Sequence, residues 1–225
     1  MKNKLFSIVL ILVLSASFAI AQTKGQTKMS FAVLGGINYQ NLNGKNLSGD
    51  KLKNDMLMGF HGGVNVQIPI APEFYFQPGL MFAVKGAKNT YNSITSTTKL
   101  NYIEVPLNMV YKASLGNGFV MLGFGPYVGY GIGGKVTTTG GSLTLDQDVE
   151  FKNVVETGDN LTTPYYKAFD AGANIFFGYE MASGLFVQLD SQFGMLNIRP
   201  EYKSLTTDES SVKNTGFGLS LGYRF

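Results

Sequence analysis

Apolar and polar residues alternate along most of this chain, in eight separate runs. Period-two segments rich in Gly, Tyr and Phe cover about 29–40, 57–70, 74–87, 99–112, 118–133, 165–181, 185–198 and 214–225. A period of two sends successive side chains to opposite faces of an extended strand, so each run predicts a two-faced strand. In the fourth, Ile103, Val105, Leu107, Met109 and Tyr111 oppose Tyr102, Glu104, Pro106, Asn108 and Lys112. In the sixth, Phe169, Ala171, Ala173, Ile175, Phe177 and Tyr179 oppose Asp170, Gly172, Asn174, Gly178 and Glu180. Helical periodicity is absent, and after residue 21 no stretch approaches the roughly 18 apolar residues of a spanning helix.

The connections alternate in length. Ala71-Pro-Glu73, Ser114-Leu-Gly-Asn-Gly118 and Ala182-Ser-Gly184 are tight turns with Gly, Pro and Asn chemistry, whereas about 41–56, 88–98, 134–164 and 199–213 are long. An even number of strands joined alternately by short and long links predicts an eight-stranded antiparallel transmembrane β-barrel, with short periplasmic turns and long outer loops. Within the third long loop, β-prone arms around Gly140-Gly141 predict a hairpin extending strands five and six above the membrane.

Alternation alone also fits a soluble sandwich, because the pattern is symmetric under exchange of inside and outside. Three features favour the barrel. The runs have the nine to eleven residues, roughly, that a tilted strand needs to cross hydrocarbon. Their polar face carries groups of both signs and amides: His61, Asn65, Gln67, Gln77, Lys85, Glu104, Asp170, Gln188, Asp190, Gln192 and Arg224. Their apolar face places Phe74, Phe76, Tyr111, Tyr179, Tyr223 and Phe225 toward the periplasmic end and Tyr39, Phe82, Tyr130 and Phe169 toward the outer end, as interfacial girdles. Pro106 and Pro126, on neighbouring strands, lack the N–H that a closed ladder needs, which predicts a bulge at one or both.

Composition narrows the compartment. Lys2 and Lys4 precede an apolar run from Leu5 to about Phe18, and Ala19-Ile20-Ala21 supplies the small residues of a cleavage site, so residues 1–21 read as a signal peptide cut before Gln22. The mature domain is then 22–225. Taking Lys2 and Lys4 from the 18 basic residues leaves the mature chain nearly neutral against 15 acidic ones, so net charge points to no nucleic-acid partner. The absence of Cys excludes disulfides, thiolate metal sites and an acylated N-terminal cysteine. At the other end Phe217, Leu219, Leu221, Tyr223 and Phe225 share one face of the last strand. That row resembles the signal by which outer-membrane barrels are recognised for insertion, which implies the barrel-insertion machinery as a partner alongside outer-membrane lipid.

Leu100-Asn-Tyr-Ile-Glu-Val-Pro106, Gly125-Pro-Tyr-Val-Gly-Tyr130, Phe169-Asp-Ala-Gly-Ala173 followed by Gly178-Tyr-Glu180, and Gly194-Met-Leu-Asn-Ile198 together resemble the PorT-type outer-membrane β-barrel family of Bacteroidetes. The likeness spans the mature chain in order, with Gly79 where relatives often carry an acidic residue and Met195 where Leu is usual. It implies an eight-stranded barrel in the outer membrane and points to no catalytic residue; no cofactor is expected. The family's founding member is linked to protein secretion across the outer membrane.

Candidate chemistry is sparse. His61 is the single histidine, which excludes a histidine metal cluster, and its parity places it in the lumen rather than against the bilayer where a lipid hydrolase must work. Asp146, Asp148 and Glu150 are spaced like Ca²⁺ ligands but lack the turn glycine of an EF-hand loop, so a solvated acidic loop is the better reading. Gly123, Gly125, Gly129, Gly131 and Gly133 lie within one strand with no following helix, and pack a narrow wall rather than cradle phosphate. No catalytic, cofactor or metal residue is assigned. An eight-stranded lumen is just wide enough to be filled by side chains, so Glu104, Asp170 and Asp190 are expected to pair with Lys85, Lys112 or Arg224 as a plug. The leading expectation is a non-catalytic barrel that anchors or docks secretion or envelope-assembly proteins. A narrow pore for small solutes is the alternative, and an outer-membrane lipid hydrolase ranks third.

Overall fold

The structure is a computed structural model that describes residues 28–205 and 208–225. The expected signal peptide and its cleavage point lie outside the described residues.

Eight strands form the barrel: β1 (Ser30–Lys45), β2 (Asp55–Ala71), β3 (Phe74–Tyr91), β4 (Ile94–Leu115), β5 (Gly118–Gly140), β6 (Phe169–Met181), β7 (Leu185–Gly194) and β8 (Ser211–Arg224). Each pairs antiparallel with its sequence neighbour, and β1 pairs with β8 from Ala32 opposite Arg224 to Lys45 opposite Ser211, which closes the ring. Closure leaves no sheet edge, so every strand can sit in a medium without water. The exterior requires such a medium: Phe60, Phe124, Phe177, Leu189 and Leu221 point outward and are more than half exposed. Aromatic contacts gather at both rims, with Phe74 on Tyr111 and Tyr223 on Phe225 at the turn end, each at 5.0 Å, and Tyr39 on Phe217 at 5.5 Å toward the loop end.

Strands β4 and β5 run to 22 and 23 residues, about twice what a membrane crossing needs, so they project past the bilayer. The expected long loop at 88–98 is therefore a hairpin: Lys88 to Tyr91 pair with Thr97 to Ile94 around Asn92-Ser93, both at positive φ, as a two-residue hairpin turn demands. The second projecting hairpin pairs Lys135–Gly140 with Leu143–Asp148. Two runs end earlier than their alternation indicates. Tyr165–Tyr166 pairs with Glu150–Phe151, Val154–Val155 pairs with Glu201–Tyr202, and residues 195–198 turn inward beyond β7. Tyr165, Val155 and Ile198 in these segments are buried over the barrel mouth, and their apolar character mimics a longer strand.

The expectation of a bulge at Pro106 or Pro126 is corrected. Register is the same on both sides of each proline; bridges lapse at Leu107-Asn108 opposite Gly125-Pro126, but no extra residue is inserted. The bulge sits higher, where Asn101 faces Gly133 but Tyr102 faces Gly131, leaving Ile132 as the additional residue. It reverses the parity of β5. Below it the odd residues Met121 and Tyr127 are buried inside; above it Gly134 and Val136 face the interior.

Candidate functional site

The lumen is filled in layers, each built by inward residues of neighbouring strands. At the periplasmic end Ala32, Val110, Met121, Phe176 and Phe186 form an apolar cluster. Gly123 makes room for it, since a Cβ there would lie 2.2 Å from the Phe176 ring. Set against this cluster, Glu180 accepts from Lys112 Nζ at 2.6 Å and from Arg224 Nε at 2.9 Å. Arg224 also donates to Asn65 Oδ1 at 3.2 Å and Gln77 Oε1 at 3.4 Å, and Gln67 donates to the same Gln77 oxygen at 2.8 Å.

The second charged layer surrounds Lys85, which is fully buried. Its ammonium lies 2.5 Å from Glu104 Oε1 and 3.1 Å from Asp170 Oδ2, over the Tyr127 ring at 4.5 Å. Asp170 Oδ2 also accepts from Tyr127 Oη at 3.1 Å and Asn214 Nδ2 at 2.9 Å, and Glu104 Oε2 accepts from Gln192 Nε2 at 3.1 Å. A buried ion pair is costly unless its remaining lone pairs and protons find partners; these donors serve Asp170 Oδ2 and Glu104 Oε2, while Asp170 Oδ1 finds none among the described residues. Above the layer, Leu42, Ala87, Leu100, Tyr102, Val149 and Ile198 make an apolar cap, with Val136, Phe151, Tyr166 and Val212 against it. Val149 and Phe151 come from the third outer loop and Ile198 from the fourth, held by Lys167 N–H to Ile198 O at 2.7 Å and Ile198 N–H to Val212 O at 2.8 Å. The third and fourth outer loops thus fold into the mouth.

Between the charged layers lies a cavity of about 90 Å³ lined by His61, Asn108, Asn174, Gln188, Asp190 and Ser220 among others. That is well under the roughly 300 Å³ at which small-molecule pockets begin. His61 Nε2 and Ser220 Oγ are 2.6 Å apart, and Ser220 Oγ donates to Asp190 Oδ1 at 3.5 Å. The carboxylate is hydrogen-bonded to the hydroxyl rather than to the imidazole, unlike a hydrolytic triad in which the acid orients the histidine.

Of the five residues expected in one network, Lys85, Glu104 and Asp170 come together. Asp190 and Arg224 do not join them. Among the described residues Asp190 pairs with no Lys or Arg and sits beside His61 and Ser220, because β7 and β8 bring it to mid-height between the cationic layers. Arg224 is bound at the periplasmic end by Glu180, which shares the inward parity of β6 with Asp170 but stands next to the short turn. Height along the strand was the available signal. Tyr127 and Asn214 carried none, since their roles depend on closure of the ring.

Outside the bilayer the third loop is tied by ion pairs. Lys152 Nζ lies 2.7 Å from Asp159 Oδ1, which holds the Asp159 carboxyl below its ordinary pKa and raises that of Lys152. Hydrogen bonding from Thr137 likewise lowers Asp146. Asp146 is therefore engaged away from Asp148 and Glu150, and among the described residues no three acidic or histidine side chains converge as a metal site.

A closed antiparallel ring with an apolar exterior and a charged, filled interior defines an integral outer-membrane β-barrel of small size. Residues 20–199 match the outer membrane protein beta-barrel domain, and the chain belongs to that family. Among solved structures it is similar to the attachment invasion locus protein Ail of Yersinia pestis in complex with the heparin analogue sucrose octasulfate: 13% identity, 88% of this chain and 100% of that one, TM-score 0.40. It is also similar to Neisserial surface protein A: 10% identity, 88% and 100% coverage, TM-score 0.44. A comparison with curated proteins returns no match.

Proposed function

We propose that this chain is a non-catalytic outer-membrane barrel that anchors or docks components of a secretion or envelope-assembly system, and does not conduct solutes. The observation that carries this reading is the obstructed lumen, with a buried Lys85–Glu104–Asp170 cluster directly beneath an apolar cap that barrel strands and the third and fourth outer loops build together. Loops drawn into the mouth in this way present a built surface above the membrane. The PorT-type resemblance of Leu100 to Pro106 and the segments in register with it favours secretion as the setting. A hydrolase is disfavoured by the enclosure of His61 and by a carboxylate bonded to Ser220.

Purification of the tagged protein from its native outer membrane in mild detergent tests the docking role. A stoichiometric partner supports it; a solitary barrel sinks it. The pore alternative is tested in planar bilayers. Wild type is expected to show no unitary current, and Glu104→Gln to lower the unfolding midpoint while leaving the membrane as resistive as before. A new unitary current in either would restore the pore.

The row Phe217, Leu219, Leu221, Tyr223 and Phe225 is proposed as the insertion signal; all five point outward, Phe225 with 73% of its surface exposed. Phe225→Ala removes little packing, so its expected effect is on assembly. The heat-modifiable fraction in membranes should fall severalfold, while protein that does assemble unfolds at nearly the wild-type midpoint. Equal assembly would remove Phe225 from the signal.

A further inference from the structure

Beyond the outer girdle the wall of the barrel changes from apolar to cationic. Lys45 on β1, Lys88 on β3, Lys99 on β4, Lys135 on β5 and Lys213 on β8 take outward positions and are exposed. Lys99 lies four residues beyond Ile103 and Lys213 four beyond Phe217, while Lys45 and Lys88 lie six beyond Tyr39 and Phe82. At about 3.3 Å per residue and a tilt near 40°, these steps rise roughly 10–15 Å. The headgroup layer reaches about 5–8 Å past the hydrocarbon on each side, and a flexible lysine stem can bend back to meet it.

The lysines oppose one another. Lys99 stands directly across the β4–β5 ladder from Lys135, and Lys45 directly across from Lys51. Lys213, opposite Asn43, is the diagonal neighbour of Lys45. The β5 bulge creates the first pair, since without Ile132 the parity of β5 would send Lys135 inward. Like charges directly opposed destabilise a ladder unless an anion lies between them. Among the described residues Lys45, Lys51, Lys88, Lys99 and Lys213 form no ion pair, and Lys135 alone reaches a carboxylate, Asp146 at 3.4 Å. Asp148 stands directly opposite Lys135 on the side away from Lys99, and Asp50, Asp55 and Glu209 are also near this level; Asp55 faces Lys88 across the β2–β3 ladder, and neither it nor Asp148 closes to an ion pair.

We propose that these lysines bind the phosphate-bearing headgroups of outer-leaflet lipids at two places, the Lys99–Lys135 pair and the Lys45–Lys51–Lys213 group. The positions face sideways from the wall rather than upward from the loop tips, so lipid meets them and a protein docking on the loops does not. Beyond Asp148 the third loop carries Glu150, Glu156 and Asp159 against Lys152, a net negative charge that turns anionic ligands toward the wall. Lysine clusters beside a membrane-spanning segment attract anionic lipid in a salt-dependent manner.

The test places the full protein in bilayer discs of phosphatidylcholine with and without phosphatidylglycerol. Unfolding midpoint is read by heat-modifiable mobility, and retained lipid by native mass spectrometry. Wild type should keep anionic lipid and melt higher in the anionic discs, with the difference shrinking as salt rises. Lys45→Gln, Lys99→Gln and Lys213→Gln combined should lower affinity for the anionic lipid by about a hundredfold at low salt. The same three positions changed to Arg should restore it, which separates charge from folding. Equal midpoints and retention in both discs at low salt, or an Arg variant no better than the Gln variant, would overturn the proposal. So would inorganic phosphate raising the midpoint equally in neutral discs, which would mark a site for free anions.

Discussion

Lys85→Met is expected to destabilise the barrel by about 3–5 kcal/mol, the usual cost of leaving buried charge without its partner. Among the described residues Lys85 is the only cation in contact with both Glu104 and Asp170, so its loss leaves two carboxylates in a water-poor layer beneath the apolar cap. The hydrogen bonds from Tyr127, Asn214 and Gln192 soften that cost without cancelling it. Equilibrium unfolding in urea with lipid or detergent present measures the effect. The triple variant Lys85→Met, Glu104→Gln, Asp170→Asn should regain most of the loss, because exchanging a whole buried ion cluster for neutral groups is often close to neutral in stability. A triple variant as unstable as the single one would mean that Lys85 acts through packing over Tyr127 rather than through charge.

Glu180→Gln is expected to cost about 3 kcal/mol, at the lower end of the same range because its layer is nearer the periplasmic mouth. One carboxylate serves two cations here, Lys112 and Arg224, and the substitution leaves them facing each other. Arg224 belongs to the pairing of β8 with β1, and the neighbouring Phe225 N–H donates to Phe31 O at 2.8 Å. The loss should therefore loosen the closing seam first. Amide exchange is expected to speed up along 217–225 and 31–39 while β3 to β5 stay protected; uniform acceleration around the ring would show that Glu180 supports the whole barrel rather than its seam.

The two layers differ in how far sequence reveals them. Strand parity depends only on the two-residue repeat, so the inward positions of Lys85, Glu104, Asp170, Asp190 and Arg224 could be read directly. Which anion meets which cation depends on stagger around the ring. Asp170 and Glu180 share a face of β6, yet ten residues separate them, roughly 30 Å of strand. One reaches Lys85 and the other Arg224 because closure fixes their heights. The prolines teach the same lesson. A missing donor predicts local disturbance, but β4 and β5 carry Pro106 and Pro126 at nearby levels and accommodate both by skipping bridges without changing register.

By itself the sequence determined an all-β barrel of eight strands, their order, their three tight periplasmic turns, and which side chains face lipid, because period two and turn chemistry are local properties. Tertiary structure decided the rest: the segments around Val149, Phe151 and Ile198 that fold into the mouth, the Ile132 bulge that turns Lys135 outward, and which lumenal charges meet a partner. Those outcomes follow from closing a ring of fixed circumference, which sets residues distant in the chain at equal height and leaves the narrow interior to be filled by whatever meets there.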